Sequence, residues 1–404
     1  MSGISNKISI WGIRPEVELL LDCARTHMDP ERAERIKRIS QEGLDWDYLL
    51  RTALLHRTTP LLYWHLNILC PEVVPKTILD QLRDFFHGNV RRNLFLTGEL
   101  LKLLSLLEVH KITAIPYKGP ILALSAYGNL AFRHFDDLDI LIRKQDILKA
   151  KDLLISQGYR PKYPFFSTRE EAYLEFHRQL PFTRDDGIGV VELHTATTQK
   201  YLSFPDPESL WSRLTPVSFQ GTQVLTLSSE DLLLILCIHG AKHLWERIGW
   251  ICDIAELIRT HPDIDWEWTL EQARTLGGER ALLLGLYLAT DLLGTSLPQE
   301  ISQKLSDPVV KNLARRLSNK LLQKSNPRPG IFEPSLFQPL YLQMRERLQD
   351  RVRYGLYLPY LAITPTREDH QFLPLPASFF FLYYLIRPIR LTGKYFWRLF
   401  RRLL

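Results

Sequence analysis

The chain has 404 residues, 45% of them apolar and 24% charged, which is enough for two or three packed domains and excludes a disordered protein. Its net charge of +6 is uneven: residues 387–404 hold Arg387, Arg390, Lys394, Arg398, Arg401 and Arg402 with no acid, and without those six the chain balances at 45 basic and 45 acidic residues. A neutral body argues against a long nucleic acid as partner. Cys23, Cys70, Cys237 and Cys252 are widely spaced and form no CxxC pair, so the spacing suggests neither a disulfide framework nor a zinc knuckle, and a reducing, cytoplasmic setting is expected. The opening "MSGISNKISIWGIRPE" lacks the pattern of a secretory leader, and nowhere do about 18 apolar residues run uninterrupted.

In chain order, "RPEVELLLDCARTH", "LDWDYLLRTALLHRTTPLLYWHLNIL" and the stretch from Lys76 to His110 place apolar residues three and four apart, which predicts an N-terminal helical domain over residues 1–105. A strand, helix, strand, helix, strand order follows: "ITAIPYKGP", "ILALSAYG", "DLDILI", "KQDILKAKDLLISQGY" and "GVVELH". It predicts an α+β module over 106–227. From Ser228, "SSED" opens a helix with a hydroxyl cap and early acids, and a helical domain is expected over 228–323. "DWDYLLRTA" at 45–53 echoes "DWEWTLEQA" at 265–273, each with an Asp placed to cap a helix. Residues 324–404 are expected to hold a linker at "KSNPRPGIFEP", an irregular stretch at 363–376 and a basic amphipathic tail.

Chemistry concentrates in "FRHFDDLDILI". On a strand, Asp137 and Asp139 share one face while Leu138 and Ile140 take the other, so two carboxylates stand about 7 Å apart, repelling until a cation intervenes. "VVELH" puts Glu192 and His194 on one face in the same manner. If the two strands are neighbours, Glu192 completes a three-carboxylate cluster suited to Mg²⁺ or Mn²⁺ and to a phosphoryl or nucleotidyl displacement. Lys118 and Arg133 are candidates for neutralising a triphosphate, and Gly119 for close backbone approach. Arg133 has an alternative role as salt-bridge partner of Asp137 or Asp139, and Asp136, facing away, reads as a surface or turn residue.

"HGAKH" sets His239 and His243 one helical turn apart, with Gly240 where a zinc protease motif would have glutamate. Three readings stand: zinc with Asp253 as orienting group or third ligand, packed imidazoles at a domain interface, or His239, Lys242 and His243 along the nucleotide or acceptor side of a cleft. The tail, 387–404, fits either a helix docked on the body or a peripheral contact with an anionic membrane, with Tyr395, Phe396, Trp397 and Phe400 inserted.

The combination of "YKGPILALSAYGNLAFRHFDDLDILI", "VELH" and "HGAKHLWERIGWICDIAEL" resembles the uncharacterised nucleotidyltransferase family of the DNA polymerase beta-like superfamily, from about residue 40 to at least 300. That resemblance implies a mixed sheet flanked by helical domains, and transfer of a nucleoside monophosphate from an NTP. It implies Asp137, Asp139 and Glu192 as catalytic metal ligands and favours His239, Lys242 and His243 along the cleft, while Lys118, Gly119, Arg133 and His194 are expected around the nucleotide from their own positions in the sequence. Where the superfamily has a Gly-Ser turn, this sequence has Lys118-Gly119, and the gap to Asp137 is longer. The expected partners are an NTP and an unidentified hydroxyl acceptor. The competing reading is a non-catalytic protein of the same fold that docks at a membrane or partner through its basic tail.

Overall fold

The computed structural model describes residues 13–162, 174, 178–184, 189–197, 207–322, 339–365, 369 and 372–403. Its N-terminal part forms α1 (Pro15–Cys23), α2 (Pro30–Ser40), α3 (Trp46–His56), α4 (Thr59–Leu69) and α5 (Lys76–Val109). The starts are set locally. Asp29 and Asp45 accept the backbone N–H groups of Arg32 and Tyr48 at 2.9 and 2.8 Å, and prolines sit in the first turns of α1, α2 and α4. Asp265 repeats the device at the helix Trp266–Thr275, accepting from Trp268 N at 2.9 Å.

The central sheet contains β1 (Ala114–Pro116), β2 (Asp137–Ile142), β3 (Tyr159–Pro161), β4 (Gln179–Arg184) and β5 (Val190–His194), in the spatial order β1-β2-β5-β4-β3. β2 and β5 run parallel; the other neighbours are antiparallel. α6 (Gly119–Ser125) joins β1 to β2, and α7 (Ile147–Ser156) leads from β2 towards β3. A hairpin, β6 (Thr215–Phe219) and β7 (Thr222–Thr226), turns through Gln220 and Gly221, both at positive φ. β3, β4 and the hairpin go beyond the five elements expected from sequence. β3 is three residues long and β4 contains Pro181, and both features mask a strand pattern.

The two faces of the sheet meet different cores. Leu138, Ile140, Ile142, Val191 and Leu193 pack with α5 and α7 through Leu100, Leu107 and Leu154. On the opposite face, Ile115, Tyr117 and Leu141 join a larger core that runs without a break from α1 into the helices Ser229–Lys242, Ile248–Thr260 and Glu279–Leu293. The fold is therefore mixed α+β, a mixed sheet flanked by helices from both ends of the chain. The linker expected at 324–334 lies outside the described residues.

Candidate active site

The parallel pairing of β2 with β5 sets the register Asp139 opposite Glu192 and Leu141 opposite His194. Because side chains alternate, Asp137, Asp139, Glu192 and His194 project to one side of the sheet, while Leu138, Ile140, Val191 and Leu193 fill the core on the other. His194 Nε2 lies 3.1 Å from Asp139 Oδ1 and 3.5 Å from Glu192 Oε2. Donor atoms of Asp139, Glu192 and His194 all fall within 4.8 Å of one another. Asp137 stands two residues earlier on the same strand face and outside that tight set.

Lys118 enters from the turn between β1 and α6. Gly119 has φ +52°, and a Cβ there would lie 3.1 Å from the Asp137 carbonyl oxygen, so a glycine lets the turn cross the start of β2 closely. That crossing brings Lys118 Nζ to 3.7 Å from Asp139 Oδ1. The side chain of Tyr117 is buried beneath, its ring 5.8 Å from that of His194.

The charges are strongly coupled. Burial pushes the Asp139 carboxyl up, but Lys118, the His194 hydrogen bond and Arg133 outweigh it and hold Asp139 well below the usual carboxylate range. Asp137 goes the other way, pushed up to about 7 by burial and then by the charges of Asp139 and Glu192. Burial disfavours the His194 cation, yet hydrogen bonds to Asp139 and Glu192 carry it up to about 9. The helix Ser229–Lys242 adds Lys242, drawn down to about 8 by burial and by Lys118 while Glu192 and Asp139 oppose the drop. The carboxylates of β2 and β5 thus share one sheet face with His194, beside Lys118 and within the electrostatic reach of Lys242.

The rings of His239 and His243 lie 4.7 Å apart between centroids, tilted by 52°, and each ring centre is 5.2 Å from that of Trp250. Burial, followed by Lys118 for His239 and Lys242 for His243, keeps both neutral. Among the described residues, the candidate metal group excludes them, and zinc is disfavoured because Asp253 is engaged elsewhere. Gly240 is required there by packing: a Cβ would come within 2.2 Å of the Trp245 ring, so no glutamate fits that position.

Two expectations need correction. Arg133 forms its ion pair with neither Asp137 nor Asp139: its guanidinium grips Asp253 through two hydrogen bonds of 2.7 and 2.9 Å. Asp253 also accepts the Tyr127 hydroxyl at 2.7 Å, so it does not orient an imidazole. Both partners are buried, and a buried charge finds its lowest energy in a bidentate pair. Asp136 does face away from the cluster, where it meets Arg57, Arg92 and His134. Arg57 and Arg247 line a small cavity with Arg133 and Trp250, and both sense the charge of Asp137. Sequence reasoning missed Arg57, Arg247 and Tyr117. Arg57 and Arg247 sit in the short turns that follow α3 and precede the helix Ile248–Thr260, where no spacing rule singles them out, and Tyr117 looks like an ordinary strand aromatic.

A helix-flanked mixed sheet whose parallel strand pair carries clustered carboxylates is the architecture of a nucleotidyltransferase. The chain belongs to the family described as uncharacterised nucleotidyltransferase, which matches residues 42–294. The solution structure of the antibiotic-resistance factor ANT(2'')-Ia is similar over 56% of this chain and 94% of its own, at 12% identity and a TM-score of 0.29. No curated protein matches the chain.

Proposed function

We propose that this protein transfers a nucleoside monophosphate from an NTP to a hydroxyl of an acceptor molecule and releases pyrophosphate, with Mg²⁺ or Mn²⁺ as the required ion. The observation that carries the reading is the β2–β5 register, which stands Glu192 beside Asp139 on the face that also holds Asp137 and His194. The donor set fits a divalent ion: carboxylate oxygens of Asp139 and Glu192 within 4.8 Å of each other, on strands fixed by a full core behind them. When bound by Asp139, Glu192 and Asp137 with His194 alongside, the ion supplies charge neutralisation for the phosphates and the leaving pyrophosphate.

The chain's own groups do the positioning. Lys118 and Lys242 place two cations beside the carboxylates, where phosphate oxygens would replace Asp139 as partners of Lys118. The acceptor oxygen attacks the α-phosphorus as the bond to the bridging β-phosphate oxygen breaks. Glu192, whose side chain keeps 21% exposure, takes the acceptor's proton. His194 holds Asp139 and Glu192 in place through its ring nitrogen, and Gly119 keeps the turn close to β2.

The test is incubation with each labelled NTP, Mg²⁺ and cell extract, followed by identification of the labelled molecule. Label should appear with the native protein and not with Asp139→Asn. If no NTP binds or transfers in a metal-dependent way, or if the Asp139 variant behaves as the native chain does, the reading fails and a non-catalytic protein of this fold takes its place.

A further inference from the structure

Residues beyond 340 present an apolar surface that nucleotidyl transfer does not use. In the helix Leu348–Ile363, Asp350 and Tyr354, one turn apart, are buried against the body. Just before it, the Glu346 carboxylate accepts the backbone N–H groups of Glu279 and Arg280 at 3.0 and 2.7 Å, fastening the segment to the start of another helix. The opposite side of the helix carries Leu348, Val352, Leu356 and Ile363. Their spacing of four, four and seven residues puts them on one stripe. All four are exposed, Leu356 to 77%.

The helix Tyr383–Leu403 is docked in the same one-sided way. The Tyr383 hydroxyl donates to the Leu373 carbonyl and accepts from Leu375 N, both at 2.8 Å, and Arg387 and Arg390 reach the fully buried Asp369 at 3.0 and 2.7 Å. Leu385 and Ile389 lie on the far side of that helix from Tyr383 and Arg387, with Ile389 exposed to 73%. Between the helices, Phe372, Phe379 and Phe381 are exposed as well. Among the described residues, more than half of the exposed large apolar side chains fall between Leu342 and Ile389, a concentration that marks an interaction surface and not random scatter.

We propose that this surface docks on an anionic lipid membrane, lying in the interface with its apolar side chains among the headgroups. Charge complementarity selects lipid over a protein partner or a second copy. The chain's formal excess of six positive charges equals the content of residues 387–404, which carry no acid. Arg387 and Arg390 fix the helix to Asp369, and Lys394, Arg398, Arg401 and Arg402 follow in its later turns. Apolar anchors next to a concentrated basic segment are the two signals that together give stable interfacial binding. Among the described residues no helix is long and apolar enough to cross a membrane, so the contact is peripheral to the bilayer. The side chains of 394–404, Tyr395, Phe396, Trp397 and Phe400 among them, lie outside the described residues.

The test is co-sedimentation of the full chain with vesicles of phosphatidylcholine alone and of phosphatidylcholine mixed with phosphatidylglycerol. Binding to the mixed vesicles is expected, and the double substitution Leu356→Glu with Ile389→Glu should lower the partition coefficient about tenfold or more. Both positions are exposed, so melting and light scattering should show an intact fold, and Arg398→Glu with Arg401→Glu should weaken binding to anionic vesicles independently. Absence of binding to either vesicle overturns the proposal. So does binding untouched by the apolar substitutions, which would mean adsorption of the basic tail alone. A concentration-dependent dimer dissolved by the same substitutions would also overturn it, since the surface would then face a second copy.

Discussion

The two faces of the central sheet are made from the same two strands and have opposite character. Behind β2 and β5, Leu138, Ile140, Val191 and Leu193 meet a layer of leucines from α5 and α7; in front, Asp137, Asp139, Glu192 and His194 lie beside Lys118 and within the electrostatic reach of Lys242. A residue shifted by one position would move from one environment to the other. The contrast teaches that the dry back face supplies the rigidity with which the front face can hold like charges close together. Four experiments break or sharpen it.

The largest expected effect comes from the front side's buried ion pair. Arg133→Ala strands Asp253 and should cost about 3–5 kcal/mol in urea unfolding, whereas replacing both partners with apolar residues should recover most of the loss. Such recovery would assign Arg133 to the fold and remove it from the nucleotide site. Next, Asp139→Asn should reduce transfer about a hundred- to a thousandfold, by loss of charge at the reacting centre. In the same variant Mg²⁺ should no longer raise the melting temperature, because an ion that does not bind the folded state cannot stabilise it.

The pH response separates the faces too. His239 and His243, on the front side, have folded-state values well below that of the unfolded chain, chiefly through burial. Below the unfolded value of about 6.5 the unfolded state binds protons that the folded state refuses, so stability falls as pH falls, by up to about 1.4 kcal/mol per unit for each imidazole. Comparing unfolding midpoints at neutral and mildly acid pH, the His239→Asn/His243→Asn double variant should lose part of that slope. The smallest effect belongs to the back face: Ile140→Val should cost only about 0.5–1.5 kcal/mol and leave the transfer rate per folded molecule unchanged.

Much of the site was legible because it depends on short-range periodicity. Alternation along a strand paired Asp137 with Asp139 and Glu192 with His194, and cap chemistry located the helices that begin after Asp45, Ser228 and Asp265. Arg133 was not legible. Its nearest acids in sequence are Asp136, Asp137 and Asp139, but its partner is Asp253, 120 residues on, because both side chains are buried between the same helices and strands and neither is stable there alone. β3 and β4 were hidden by their brevity and by Pro181, and Arg57 and Arg247 because each sits in a turn whose position depends on how the adjoining helices pack.

The amino-acid order alone therefore determined which side chains share a face, since a pleated strand or a helical turn repeats with a fixed period whatever surrounds it. Tertiary structure alone decided which faces meet. Asp139 stands opposite Glu192, and not one residue away, because only that register buries Leu138, Ile140, Val191 and Leu193 together on the other side. Burial of one face positions the charges on the other, and burial is a property of the whole chain.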